Sequence, residues 1–275
     1  WERAAFDEVH SKRPFRGEPA EGYFGFGTSP IVEDDKLILN VGGDRGEAGI
    51  VAFDLQTGKT IWTATDARAS YSSPTAATID GKRHLVFATR FSVISLDPSN
   101  GQVRFEFPFG RPGPSATGAN PLILGGSLFV TASYGFGAVY GKLEAKAADI
   151  VWRDDDLMSS QYTTCGVQDG LLFGIHGRQD GPPAALRCFD PQTRKIRWTE
   201  ERFGYATLIG AGGKLLILKT DGELVLAELS ADGYRDSARA LILTGETRAL
   251  PALSNGRLFA RDARQLKCVE VGKSR

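Results

Sequence analysis

Residues 51–62 read VAFDLQTGKTIW. Val51, Phe53 and Leu55 alternate with other residues, Gln56-Thr57-Gly58-Lys59 interrupts them, and a second short run reaches Trp62. Alternation, a glycine-containing turn and a second run are the sequence form of a β-hairpin. Gly58 supplies the positive φ that such a turn usually needs. Two paired strands follow directly, and the next question is how often the chain repeats them.

It repeats them throughout. Ser29-Pro30, Ser73-Pro74, Asn120-Pro121, Thr164-Cys165, Thr207-Leu208 and Leu250-Pro251 recur at steps of 43 to 47 residues. Each pair opens an apolar stretch, then a turn rich in Gly, Asp or Asn, then a second strand. Those second strands read KLILNVG, HLVFATR, SLFVTAS, LLFGIHG, KLLILKT and RLFARDA. Third strands follow as IVAFDL, SVISLDP, GAVYGKL, AALRCFD, ELVLAEL and QLKCVEV. Fourth strands follow as KTIWTAT, QVRFEFP, DIVWRDD, KIRWTEE and a weaker YRDSARA. Four-stranded units of ~40 to 50 residues in series signal a β-propeller.

The expected fold is therefore all-β, a propeller of four-stranded antiparallel blades with about six repeats visible. The blades fall roughly at 29–66, 72–110, 119–156, 163–202, 206–242 and 248–273 of a single domain over 1–275, with an N-terminal strand at 1–6. A lone meander cannot bury both faces, and stacking blades face to face buries them in series. Trp62, Phe105, Trp152 and Trp198 occupy equivalent fourth-strand positions. Each is expected to insert between neighbouring blades, where burying a large aromatic is worth about 2–3 kcal/mol.

The last repeat stops after its third strand, while WERAAF at the start reads as a fourth strand. Two accounts stay open. WERAAF pairs with QLKCVEV and closes a six-bladed ring, or the chain is the rear part of a seven- or eight-bladed parent. The second is favoured, because a natural chain rarely begins at a blade's last strand.

Composition narrows the function classes. The chain has 33 basic and 33 acidic residues in 275, with no long block of one sign. A sequence-independent grip on nucleic acid or an anionic membrane needs a basic excess, so no nucleic-acid partner is expected. Glycine, at 33 residues, is well above the usual ~7% and suits a turn-rich protein. No apolar run approaches the ~18 residues of a membrane helix. Cys165, Cys188 and Cys268 show no CxxC spacing, and no two histidines share a metal-ligand spacing, so no metal site is expected.

The residues Ala52-Phe53-Asp54, Thr57-Gly58-Lys59 and Trp62 resemble the tryptophan-docking motif of the pyrroloquinoline quinone (PQQ) repeat family. Weaker copies run from Leu96-Asp97 through Gly101 to Phe105 and from Phe189-Asp190 through Lys195 to Trp198. The resemblance extends over nearly the whole chain and implies two alternatives. Quinoprotein alcohol dehydrogenases of the family hold PQQ and Ca²⁺ on the propeller axis, beside a pair of adjacent cysteines. Its outer-membrane-protein assembly lipoproteins keep the blades without the cofactor, as extracytoplasmic scaffolds.

The residues favour the second. No two cysteines are adjacent, and the positions expected at the axis offer no cluster of carboxylates for Ca²⁺. Asp54, Asp97 and Asp190 precede the third turns of their blades, where a carboxylate caps turn amides. GYFGFG at 22–27 precedes a strand, not a helix, and cradles no phosphate. A binding mouth is expected where loops lead into the inner strands. Tyr71, Ser72, Asn120, Gln161, Tyr162 and Tyr205 are its candidate lining, with Tyr23 and Phe24 beside them and Arg90 and Arg178 as candidate anion contacts. Tyrosines and amides suit a small polar ligand, a glycan or a peptide, or simply plug a channel. The expectation is a monomeric, periplasmic binding or scaffold module without a cofactor, the alternative being a PQQ- and Ca²⁺-dependent dehydrogenase.

Overall fold

The structure is a computed structural model that describes residues 1–2, 8–9, 23–25 and 27–272. From residue 3 onward, the strand expected over 1–6 and its pairing with QLKCVEV lie outside the described residues. The chain forms two compact units, residues 1–162 and 163–275.

The first unit holds three blades. Blade 1 consists of β1 (Ile31–Glu33), β2 (Lys36–Asn40), β3 (Ile50–Asp54) and β4 (Thr60–Ala64); blade 2 of β5 (Thr75–Ile79), β6 (Lys82–Ala88), β7 (Ser92–Leu96) and β8 (Val103–Pro108). Blade 3 consists of β9 (Leu122–Leu124), β10 (Ser127–Ala132), β11 (Gly137–Glu144) and β12 (Ala147–Asp154). In the second unit, blade 4 is β13 (Gly166–Gln168), β14 (Leu171–His176), β15 (Ala185–Asp190) and β16 (Lys195–Glu200). Blade 5 is β17 (Ala206–Ala211), β18 (Lys214–Lys219), β19 (Glu223–Glu228) and β20 (Asp236–Leu241). Blade 6 is β21 (Ala252–Ser254), β22 (Arg257–Arg261) and β23 (Leu266–Glu270). Every sheet is an antiparallel meander in chain order, and the fold is the all-β propeller expected.

Turn chemistry explains the regularity. The first hairpin of blade 2 turns at Asp80-Gly81, of blade 4 at Asp169-Gly170 and of blade 6 at Asn255-Gly256, with positive φ at both residues. That is the two-residue turn whose twist matches paired strands. The third turn is pinned by its leading aspartate. Asp54 Oδ1 accepts N–H groups from Gln56 and Thr57, Asp97 Oδ1 that of Ser99, and Asp190 Oδ1 those of Gln192 and Thr193. The hydroxyls of Thr57 at Asp54, Ser99 at Asp97 and Thr193 at Asp190, followed by these amide bonds, hold all three carboxyls below the usual aspartate range, against the desolvation that is the largest influence at Asp97 and Asp190.

One feature of the outer strands was not read from the sequence. Ala52 faces Trp62 but Phe53 faces Thr60, so Ile61 is an extra residue, a β-bulge. The same slip precedes Phe105, Trp152, Trp198 and Ala238 in blades 2 to 5. A bulge re-aims the next side chain, and here it sets the aromatic against a neighbouring sheet. The Trp62 indole N–H donates to Pro98 O at 3.2 Å, and a Cβ on Gly101 would lie 2.6 Å from its ring. Trp198 donates to Ser230 O at 2.8 Å in blade 5. Trp1 makes the same pair of contacts on blade 1, donating to Leu55 O at 3.0 Å, with a Cβ on Gly58 only 2.4 Å from its ring.

One exception, at blade 2, follows the partner turn. Blade 3 replaces the four-residue turn with a tight one between Glu144 and Ala147. The residue at the docking position of blade 2 is Phe105, which has no N–H to satisfy and stacks with Phe107. Trp152 stacks within its own blade on Tyr140, with ring centroids 5.7 Å apart.

Between blades 1 and 2 the core contains Ile38, Ile50, Trp62, Leu85, Phe87 and Ile94. Between blades 2 and 3 it contains Val86, Val93, Phe105, Phe107, Leu128 and Val139. His84 is fully buried beside that second core, its Nδ1 2.9 Å from Ser95 Oγ and its Nε2 without a hydrogen-bond partner. Burial lowers its pKa below the ordinary 6.5, helped by Arg104 and Lys82 and opposed by Asp97 and Asp80. The unfolded chain thus binds this proton more readily than the folded one. The stabilising contribution of the neutral ring is complete above about pH 6.5 and is lost as pH falls through the depressed folded value. Urea unfolding at pH 7.5 and pH 5 is expected to show wild type losing up to about 1.4 kcal/mol per pH unit below the unfolded value. His84→Gln should flatten that dependence, and an unchanged slope would remove His84 as its source.

Candidate functional site

The segments leading into the inner strands are where sequence placed a binding mouth. In the first unit they form a continuous arc. The N–H of Phe24 donates to the Tyr71 hydroxyl at 3.2 Å, and their rings lie 6.1 Å apart. The Tyr71 N–H donates to Thr117 O at 3.1 Å, and Gly118 N–H to Gln161 O at 3.4 Å. Gly118 lies so close to Tyr162 that a Cβ there would fall 2.6 Å from the tyrosine Cβ. Tyr71, Ser72, Asn120, Gln161 and Tyr162 therefore lie on successive segments in contact. Ser72 is buried, and the other four are half-buried.

Much of the arc's polarity ties neighbouring blades together. Ser29 N–H donates to Ser73 Oγ at 3.0 Å, and Ser73 N–H donates to the Asn120 side-chain oxygen at 2.8 Å. Thr75 adds a bond to Pro121 O at 2.7 Å. Such bonds satisfy backbone groups where strands begin, and the cost of leaving them unmade explains polar residues there. Tyr205 does the same in the second unit. It is 4% exposed, and its hydroxyl accepts the Thr163 N–H at 3.3 Å.

Tyr134 is a member of the arc that sequence reasoning missed. Its hydroxyl accepts from Gln161 Nε2 at 2.7 Å, and its backbone sits at φ +69°, a rare conformation for a bulky residue. Its flanking run SYGFG, with Gly135 and Gly137 also at positive φ, is the signal that marks it.

Arg90 differs from the expectation. It was a candidate anion contact at the mouth, yet it is 4% exposed, and its guanidinium donates to Ser115 O and Oγ at 2.8 Å and to Gly113 O. It holds the loop that leads into blade 3. Arg90→Ala would strip donors from buried carbonyls and is expected to cost about 2–4 kcal/mol in urea unfolding. Arg178 pairs with Asp180 at 3.2 Å.

Chemically, the arc offers stacking faces and neutral hydrogen-bonding groups. Tyrosine and amide side chains bind and orient, and at neutral pH they supply no ready proton acceptor. For Ca²⁺ the donor set does not fit, since no three of His, Cys, Asp and Glu come together among the described residues. Cys165 and Cys188 are buried, with thiols pushed up to about 12 by desolvation, and Cys268 is exposed. No helix among the described residues is long and apolar enough to cross a membrane.

Comparison with known proteins agrees with the blade pattern. BamB from Moraxella catarrhalis superimposes with a TM-score of 0.63 at 16% identity, over 87% of this chain and 67% of that one. The computationally designed protein Ika8 matches with a TM-score of 0.59 at 13% identity, over 91% and 73%. A chain of the mitotic checkpoint complex matches with a TM-score of 0.60 at 12% identity, over 86% and 72%. At these identities the likeness is one of fold. No curated protein matches the chain in sequence. The family model described as outer membrane protein assembly factor BamB matches residues 1–200, and the chain belongs to that family.

Proposed function

We propose that the chain is a non-catalytic propeller that acts as a binding or scaffold module for protein partners outside the cytoplasm. Membership of a family described as an assembly factor carries this reading. The residue types of the arc support it, being suited to contact and orientation rather than proton transfer. A narrower form places a small polar or glycan ligand on the arc at Tyr71, Asn120, Gln161 and Tyr162. On this reading the chain works as a monomer and takes its partners one copy at a time.

The test is an activity assay on purified protein supplied with PQQ, Ca²⁺ and an artificial electron acceptor, across alcohols and sugars. No turnover above the protein-free control is expected. Turnover that requires both PQQ and Ca²⁺ would replace the scaffold by a quinoprotein dehydrogenase. For the narrower form, a glycan array should show saturable binding that Tyr71→Ala abolishes. A flat array would remove the glycan and leave the protein partner.

A further inference from the structure

The seam between blades 1 and 2 is complete on both sides, each blade having its four strands. Ala67 packs against the core that holds Trp62 and Ile94, and it also lines a cavity of about 250 Å³. The other walls include Asp66 and Arg68, which lead from blade 1 into β5, and Thr89 and Ser92 at the turn into β7. Glu106 and Pro108 of β8 complete them. Register agrees with this placement. Glu106 faces Ile94 and Pro108 faces Ser92. Directly opposite residues share a sheet face, so all four lie on the side of blade 2 that turns to blade 1. Sites for drug-sized ligands run to about 300–1,000 Å³. This cavity is smaller, which suits a long side chain or a small organic ion rather than a quinone cofactor.

The unmet groups of this lining are acceptors. Asp66 and Glu106 are exposed, and among the described residues neither forms an ion pair or a side-chain hydrogen bond. By contrast, Asp44, Glu33 and Asp97 of the same unit each hold an arginine. The third acceptor is Ser92 Oγ, on a residue only 7% exposed. Thr89 has one hydroxyl proton and gives it to Ser92 O at 2.8 Å, so the 3.1 Å contact between the two hydroxyls is donated by Ser92. Ser92 Oγ has then given its own proton, and among the described residues nothing donates to its lone pairs. A buried acceptor left unmet is costly, and a ligand bearing N–H groups would meet it. Two cations stand nearby. Arg68 lines the cavity, but Asp44 answers its charge at 3.6 Å and its guanidinium donates to Gly42 O. Arg153 donates to Pro108 O at 3.2 Å and lies over Phe107, whose ring belongs to the core on the far side of β8. Within the lining, the Arg68–Asp44 pair cancels and two carboxylates remain.

We propose that this cavity binds a primary ammonium group on a short alkyl stem, the end of a lysine side chain of a partner protein. An ammonium has three N–H donors and no acceptor, and Asp66, Glu106 and Ser92 Oγ match that inventory. Hydrogen bonds between ionised groups are the strong ones, the more so where water is partly excluded. Ala67 and Pro108 border the cavity and suit the methylene stem. The site stands on blades 1 and 2 alone, while its assignment to a partner's lysine rests on the reading of the chain as a protein-binding module.

The experiment is an NMR titration of the full chain with Nα-acetyl-lysine methylamide, followed by backbone amide shifts. The same molecule acetylated on its side-chain nitrogen is the control, and n-butylamine represents a free amine. Saturable shifts at Ala67, Thr89 and Ser92 are expected with the lysine compound and none with the control. Asp66→Asn combined with Glu106→Gln should weaken binding about tenfold or more, as the loss of charged hydrogen bonds does. Neither carboxylate has a partner to lose, so this variant keeps the fold. Glu144→Gln combined with Asp155→Asn removes two exposed charges elsewhere on the unit and should leave binding unchanged. No saturable shifts, equal shifts with the control, or full affinity in the Asp66 and Glu106 variant would overturn the proposal. So would n-butylamine binding about tenfold tighter than the lysine compound, since a free amine would then own the site. Turnover in the PQQ-dependent assay would remove the scaffold reading without touching the titration, so the two failures are distinguishable.

Discussion

Trp62→Ala is expected to destabilise the first unit by about 3–5 kcal/mol in urea unfolding followed by circular dichroism. Trp62 is 9% exposed, sits in the core between blades 1 and 2, and donates its indole N–H to Pro98 O. Truncation leaves a cavity in the core that joins two sheets, and each blade can bury its faces only against its neighbours. Trp62→Phe separates the contributions. It keeps most of the area and loses only the hydrogen bond, worth about 1 kcal/mol. A Trp62→Ala cost within 1 kcal/mol of wild type would mean that the docking position does not lock the blades.

A change of one methyl group is expected to do comparable damage at Gly222. Its φ is +89°, and a Cβ there would fall 2.1 Å from Leu243 O, a backbone atom that cannot step aside cheaply. Gly222 O also accepts the Ile242 and Leu243 N–H groups at 3.0 and 3.3 Å, and Leu243 is fully buried in the core shared by blades 5 and 6. Gly222→Ala therefore strains the turn and pushes a core strand lead-in outward. The expected loss is about 3 kcal/mol or more, read as a lower urea midpoint. Gly81→Ala is the control, with positive φ and nothing within 4 Å of its Cβ, and should cost only about 1 kcal/mol. Equal effects at the two glycines would show that backbone conformation, not the approach of Leu243, sets the cost.

Gly222 also marks the limit of what could be read from the sequence. Its setting, Thr220-Asp221-Gly222-Glu223, announces a turn and says nothing about Leu243, because the close approach joins segments that pattern does not link. Features with local causes were legible. Asp80-Gly81 and Asn255-Gly256 demand two-residue hairpins, and Asp54 and Asp97 cap turns that begin at their own residues. The equivalence of Trp62 and Trp198 was legible because periodic strands carry them. The bulge before each was not, since Ile61 beside Trp62 looks like ordinary β-rich sequence until register is known.

The same division runs through the candidate site. Tyr71, Asn120 and Gln161 could be placed on segments leading into inner strands, because those segments repeat. Whether a side chain there meets a ligand or a neighbouring blade depends on contacts across 40 or more residues, as between Ser73 and Asn120. Arg90 illustrates the cost of that blindness. A charged residue just beyond a strand usually reads as solvent-facing, and only the fold shows its guanidinium under the loop at Gly113 and Ser115. His84 was partly legible. It shares strand parity with Val86 and Ala88, so its side chain follows theirs toward the face between sheets.

The most direct test of the central claim, a propeller that binds partners without a quinone, is a calorimetric titration of PQQ with Ca²⁺ into the purified, folded chain. The account predicts no saturable heat beyond dilution. Saturable binding at about one site per chain, dependent on Ca²⁺, would contradict it and make the chain a quinoprotein.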